Sequence, residues 1–157
     1  MPGFVIRSAV TGDAASISSL YSRVWSEYSD RFPKELLESR TPSPDEMVTW
    51  LHTDTYFVAE TPKGIVGVVG CIFNHGTCYL THMVVDSEHR RHGIGQALVD
   101  IVIETARKKN AMKVWLNTVP FLEEAITLYE KNGFKKCAFL RKHLWGLDVE
   151  LFELVFD

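Results

Sequence analysis

Met83-Val84-Val85-Asp86-Ser87-Glu88-His89-Arg90-Arg91-His92-Gly93-Ile94-Gly95-Gln96 decides how the rest of the chain reads. Upstream of it, Cys78 to Val85 is a short β-favouring run. Downstream, Ile94, Ala97, Leu98, Ile101, Val102 and Ala106 recur at steps of three and four, which predicts a helix over 93–110 with one apolar face. The two glycines therefore stand where a strand turns into a helix. Lacking Cβ, they let backbone N–H groups come close to an anion. The first N–H groups of a helix have no internal partner, and the helix dipole adds positive potential there. The junction thus has the makings of a phosphate cradle, with Arg90 and Arg91 beside it. A plain tight turn would read the same way. Two other phosphate motifs are excluded. Leu98 stands where the dinucleotide fingerprint needs a third glycine, and no Gly-Lys-Ser/Thr follows as in a P-loop.

Working outward toward the N-terminus, Asn74 to Thr77 reads as a hairpin turn, Ile65 to Phe73 as a strand apolar enough to be central, and Tyr56 to Glu60 as its neighbour. Pro44 opens a short helix through Leu51, capped by Ser43. Asp30 to Pro44 reads as irregular, either a substrate-side loop or a surface connector. Ala14 to Tyr28 carries an apolar stripe behind Asp13 as N-cap, and Phe4 to Val10 reads as a first strand. Toward the C-terminus come a strand over 113–117, a helix over 123–132 stopped by Gly133, and a closing strand pair, 134–144 and 148–156. This order predicts a mixed α/β layer protein with helices packed on a central sheet.

With 157 residues, 46% of them hydrophobic, the expectation is one domain over 1–157. A net charge of -3 gives no pull toward nucleic acid or anionic membrane. No apolar run is long enough to span a bilayer, and Met1 to Arg7 lacks the pattern of a secretory leader. Three cysteines, Cys71, Cys78 and Cys137, make no disulfide framework, so a cytoplasmic location is expected. Cys71, Cys78, His75 and His82 do not have zinc-site spacing, so no metal is expected.

Two signatures together resemble the GNAT family of N-acetyltransferases. One is Arg90-x-x-Gly93-x-Gly95 after Met83-Val84-Val85-Asp86; the other is Ala125-Ile126-Thr127-Leu128-Tyr129-Glu130-Lys131-Asn132-Gly133-Phe134. Ile6-Arg7-Ser8-Ala9 followed by Asp13 also looks like that family's opening. The resemblance implies a GNAT-type fold: a mostly antiparallel sheet of about seven strands, splayed in the middle, with helices on both faces. It implies acetyl-CoA as co-substrate and direct transfer of its acetyl group to a primary amine in a ternary complex. Arg90, Arg91, His92, Gly93, Ile94, Gly95 and Gln96 would grip the pyrophosphate, and the backbone of Met83, Val84 and Val85 the pantetheine arm. Tyr129 matches the proton donor to the leaving thiolate. Leu122 departs from the family, many of whose members carry Asn there, and Asn117 lies nearby out of register.

The family often places a glutamate base on the strand before the phosphate loop, but Tyr79-Leu80-Thr81-His82-Met83 has no carboxylate. His82 is the titratable substitute, with a water path through Tyr79 or the backbone as the alternative. Fold analogy sets His143 and Trp145 on one side of the acceptor site and Trp25, Tyr28 and Phe32 on the other. The acceptor stays open between a small amine, such as a polyamine or amino acid, and a peptide or protein amine. A non-catalytic acyl-CoA sensor is the rival reading, which a retained Tyr129 argues against. Homodimerisation is likewise open.

Overall fold

A β-hairpin sequence in the middle of the chain, with helices before and after it, builds the sheet around which the rest packs. The computed structural model describes residues 3–157, so the part of the N-terminal reading that rests on Met1 and Pro2 lies outside the described residues. In chain order the elements are β1 (Val5–Ser8), α1 (Ala14–Trp25), α2 (Lys34–Arg40), α3 (Pro44–Thr53), β2 (Thr55–Thr61), β3 (Gly64–Asn74), β4 (Thr77–Val85), α4 (Ile94–Lys108), β5 (Lys113–Thr118), α5 (Glu123–Lys131), β6 (Lys135–Leu144) and β7 (Leu147–Val155). The seven strands form one sheet in the order β1-β2-β3-β4-β5-β7-β6. Only β4 and β5 run parallel; every other neighbouring pair is antiparallel.

The strand alternation of β2 sorts the two faces. Phe57 and Ala59 point to one side, where Leu98, Val99, Val102 and Ala106 of α4 pack with Tyr129 of α5. Tyr56 and Val58 point to the other, against Ile17, Leu20, Tyr21 and Val24 of α1 and Met47 of α3. Helices thus cover both faces, as the period of their apolar residues requires.

Local sequence explains most boundaries. Ser43 caps α3 as expected, and Glu46 makes the cap reciprocal, at 3.2 and 3.1 Å, with Pro44 in the first turn. Asp13 precedes α1 but caps nothing. Its carboxylate is taken by Arg7, at 2.8 and 2.9 Å, and by the Val10 amide, so it ties β1 to the helix instead. α2 corrects the expectation of an irregular 30–44 segment. Pro33 sits just before its first turn and Pro42 just beyond its end. Between them Lys34-Glu35-Leu36-Leu37-Glu38-Ser39-Arg40 is a run of helix formers whose Leu36 is buried. Among the described residues no helix is long and apolar enough to cross a membrane.

Two irregularities make the site. First, β4 and β5 pair only at Cys78 with Val114 and Tyr79 with Trp115, where the Tyr79 and Trp115 rings stack at 4.2 Å. Past that point the two strands part, leaving the edge of β4 from residue 80 onward without a strand partner. Second, β4 bulges: Thr81 pairs with Gly70 and Val84 with Val68, so His82 and Met83 together oppose Val69. His82 takes a left-handed φ of 51°. The extra residue reverses the alternation. Before the bulge Cys78 and Leu80 face α4, and after it Met83 and Val85 do, while Val84 faces α1.

Candidate active site

The wedge between β4 and β5 opens into two cavities that share Trp25, Met83, Leu122 and Ala125. The outer one, about 340 Å³, runs along Met83, Val84 and Val85 to Arg90, Arg91 and Gly95. The deeper one, about 150 Å³, is bounded by Tyr79 to Met83 on one strand and Leu116 to Val119 on the other, with Tyr129 at its wall.

The outer cavity is built from backbone. Gly93 takes φ 86° as the residue before α4, and Arg91 takes φ 65°. The left-handed turn at Gly93 carries the chain into α4 with its first amides bare. Ala97 N–H is the first to find a helical acceptor, at Gly93 O. Among the described residues the amides of Arg91 through Gln96 donate to nothing, which leaves a row of free N–H groups at the positive end of a fifteen-residue helix. The expected grip is thereby sorted into amides and side chains. Ile94 buries its side chain in the core and offers only its N–H. Gln96 spends its side-chain amide on Asn132, at 2.7 and 3.0 Å, and on Asp100, at 2.8 Å. His92 is exposed. Arg90 bonds Val85 O at 3.3 Å and Glu27 at 3.3 Å, while Arg91 pairs with Glu124 at 3.1 Å across the cavity.

The Gln96–Asn132 pair joins α4, the helix that follows the glycine turn, to α5, the helix of Tyr129. Asn132 also closes the end of α5 on Leu128 O at 2.8 Å. Gly133, at φ 91°, then turns the chain so that Phe134 packs edge-on against the Tyr129 ring, 5.8 Å between centroids. This is the physical content of the Tyr-x-x-x-Gly-Phe spacing: the glycine lets the phenylalanine fold back and hold the tyrosine. The Tyr129 ring is buried, its hydroxyl has no hydrogen-bond partner among the described residues, and burial raises its pKa above the usual 10.

His82 is held on three sides. Its ring stacks on Trp50 at 4.6 Å, its Nδ1 meets the Tyr56 hydroxyl at 3.1 Å, and its carbonyl accepts from the buried Tyr21 hydroxyl at 2.7 Å. Burial, with a smaller contribution from the nearby Arg40 charge, pushes its pKa down to about 4. The imidazole is therefore neutral at neutral pH, and its Nδ1 is already committed to Tyr56. Asn117 donates to the Tyr79 hydroxyl at 2.7 Å, so both line the deeper cavity as one polar unit.

The acceptor walls come out differently from the fold analogy in part. Trp25 and Phe32 line the deeper cavity, while Tyr28 lines the outer one. His143 and Trp145 are exposed, and it is Leu144 that reaches the cavity. Lys142 and Trp145 both take left-handed φ values, 50° and 46°, and swing the hairpin tip outward around Leu144. Arg40 is also on the wall, a residue that the irregular reading of 30–44, as substrate-side loop or connector, does not single out. The signal was there in the i,i+4 pair Lys34–Glu38, which is 3.6 Å apart on α2. Cys71 and Cys78 are buried between β3 and β4, away from both cavities.

Residues 17–134 match the acetyltransferase (GNAT) family model. The chain belongs to the GNAT family. Human N-acetyltransferase 8B is 31% identical over 140 residues, covering 84% of this chain and 59% of that protein. Human N-acetyltransferase 8 is 39% identical over 87 residues, covering 52% of this chain and 38% of its own length. The chain thus spans only two-fifths to three-fifths of these curated relatives. Among solved GNAT folds, yncA of Salmonella typhimurium, determined with its cofactor acetyl-CoA, superposes with a TM-score of 0.81 at 19% identity, over 99% of this chain and 95% of that one. The seven-stranded, mostly antiparallel sheet with its helices is the GNAT fold.

Proposed function

We propose that this GNAT domain is an acetyl-CoA-dependent N-acetyltransferase that moves the acetyl group to a primary amine by direct attack, with both substrates bound together. One observation carries the reading: a groove of free backbone donors leads without a break into a cavity where Tyr129 and His82 face the same space. Two separate substrates, one anionic and extended, one small, fit that layout.

When bound, acetyl-CoA supplies an activated acyl group as a thioester. The groove suits it on the chain's own terms. The amides of Arg91 to Gln96 would hold the pyrophosphate at the N-terminus of α4. The strand-like edge of Met83, Val84 and Val85, left unpaired by the splay, would hydrogen-bond the extended arm. Arg90 and Arg91 sit beside it and can exchange their glutamate partners for phosphate oxygens. Leu122, at the head of α5 and on the wall of both cavities, meets the arm with an apolar contact where an amide would have hydrogen-bonded.

In the transfer, the amine nitrogen bonds to the carbonyl carbon and the carbon–sulfur bond breaks. Tyr129 keeps its proton at neutral pH and donates it toward the departing sulfur. The amine must lose a proton. His82, neutral and facing the cavity, accepts it, and its low pKa makes it a relay to solvent that does not stay charged. The Tyr79–Asn117 unit lines the same cavity.

Thiol release from acetyl-CoA, followed with a panel of free amino acids, spermidine and peptide N-termini, tests the proposal. Amine-dependent turnover is expected with at least one class. Binding of CoA without turnover on any amine would leave the chain an acyl-CoA sensor, the reading that Leu122 and the lack of a carboxylate on Tyr79–Met83 favour.

A further inference from the structure

Of the residues that line the deeper cavity, Arg40 carries the single formal charge, and no aspartate or glutamate is among them. Arg40 is the last residue of α2 and is half-buried. Its guanidinium has no hydrogen bond or ion pair among the described residues. Arg7, Arg23, Arg90 and Arg91 are all paired with carboxylates. The acids of its own helix do not reach it: Glu38 pairs with Lys34. Glu150, the buried acid of the neighbouring strand β7, is taken by Lys136 at 2.6 Å. A cation at a helix C-terminus complements the dipole, but that role needs no place in the cavity wall.

The arrangement sets a condition on the acceptor. An ammonium group entering this cavity meets a positive charge and no negative one, with a neutral His82 on the same wall. A polycation is repelled. A molecule carrying its own anion is drawn in, because the planar guanidinium fork matches a carboxylate in two hydrogen bonds. Trp25, Phe32, Leu36 and Leu144 make an apolar side to the cavity that suits an uncharged side chain, while Tyr79 and Asn117 are occupied with each other. A cavity of about 150 Å³ admits a small molecule.

Resting on the N-acetyltransferase reading, we propose that the acceptor is a free α-amino acid with an apolar side chain, its carboxylate held by Arg40 while its amine lies toward His82 and Tyr129. A polyamine is then the wrong substrate, and a peptide N-terminus, whose carbonyl is an amide, is a poor one.

The test uses three matched acceptors, leucine, leucinamide and isopentylamine, with a leucyl peptide as a fourth. Wild type, Arg40→Gln and Arg40→Lys are compared by steady-state kinetics and by calorimetric binding of leucine to the CoA-loaded protein. Wild type should favour leucine over its amide and its decarboxylated analogue by about 10- to 100-fold in kcat/KM, the size of one charge-assisted pair. Arg40→Gln should erase that preference by raising the KM for leucine, leaving the KM for acetyl-CoA unchanged, and Arg40→Lys should recover part of it. Equal use of all three acceptors by wild type, or a preference that survives Arg40→Gln, overturns this inference and leaves acetyl transfer standing. Arg40-dependent leucine binding without turnover overturns the transfer reading and keeps the recognition. Neither binding nor turnover overturns both.

Discussion

The two cavities that meet at Met83 and Ala125 are made by opposite means. The outer one is a backbone site. Its donors are consecutive amides, its shape comes from a left-handed glycine and a parted strand, and its side chains are largely engaged elsewhere. The deeper one is a side-chain site, assembled from α1, α2, β4, β5 and α5 and the tip of β6, with a strained histidine and one unpaired arginine. A backbone site tolerates sequence change so long as the turn survives. A side-chain site is rewritten by single substitutions. On the proposed function, the backbone half holds a constant ligand and the side-chain half a variable one.

Acid is the strongest way to break the contrast. His82 is protonated near its ordinary 6.5 in the unfolded chain but only at about 4 when folded. Between those values the unfolded state binds the extra proton, so stability is full above pH 6.5 and falls as pH drops to about 4. The loss expected is about 3 kcal/mol, with His82→Gln flattening the slope. Urea titrations across that range measure it. An unchanged slope in the variant would mean the deeper cavity does not desolvate the ring. His82 does not line the outer cavity, so CoA should bind there without an inflection from His82.

Gly93→Ala probes the backbone half. A Cβ there meets nothing within 4 Å, so the cost is the left-handed φ of 86° alone, about 1–2 kcal/mol. CoA affinity should fall by about tenfold as the amides lose their aim. Calorimetry with CoA checks this, and unchanged affinity would remove the loop as the anion grip. The smallest effect is expected from Leu122→Asn. α5 has no side-chain cap, and an asparagine at that position should stabilise the fold by about 0.5–1 kcal/mol, seen as a rise in Tm. It should tighten CoA binding without altering acceptor choice.

The same contrast governs what could be read in advance. The glycine turn before α4 and the α5 signature were legible because their geometry lies in neighbouring residues, where a glycine and an apolar period speak for the backbone. The antiparallel pairing of β4 with β3 followed from the hairpin at Asn74–Thr77. The deeper cavity was not legible as a set. Arg40 sits between prolines that make its segment read as irregular, loop or connector alike. The bulge reversed the side on which residues after His82 fall, which alternation alone cannot foresee. The two left-handed residues of the β6–β7 turn exchanged Trp145 for Leu144 at the cavity. Each of these depends on which distant element arrives opposite.

Tyr129→Phe tests the division between the halves most directly. It removes one hydroxyl from the deeper cavity and leaves the Phe134 contact and the Gln96–Asn132 tie intact. Turnover with the best amine should fall by at least about a hundredfold while the Kd for CoA stays within about twofold. Equal turnover in the two proteins, or a matching loss of CoA affinity, would contradict the account.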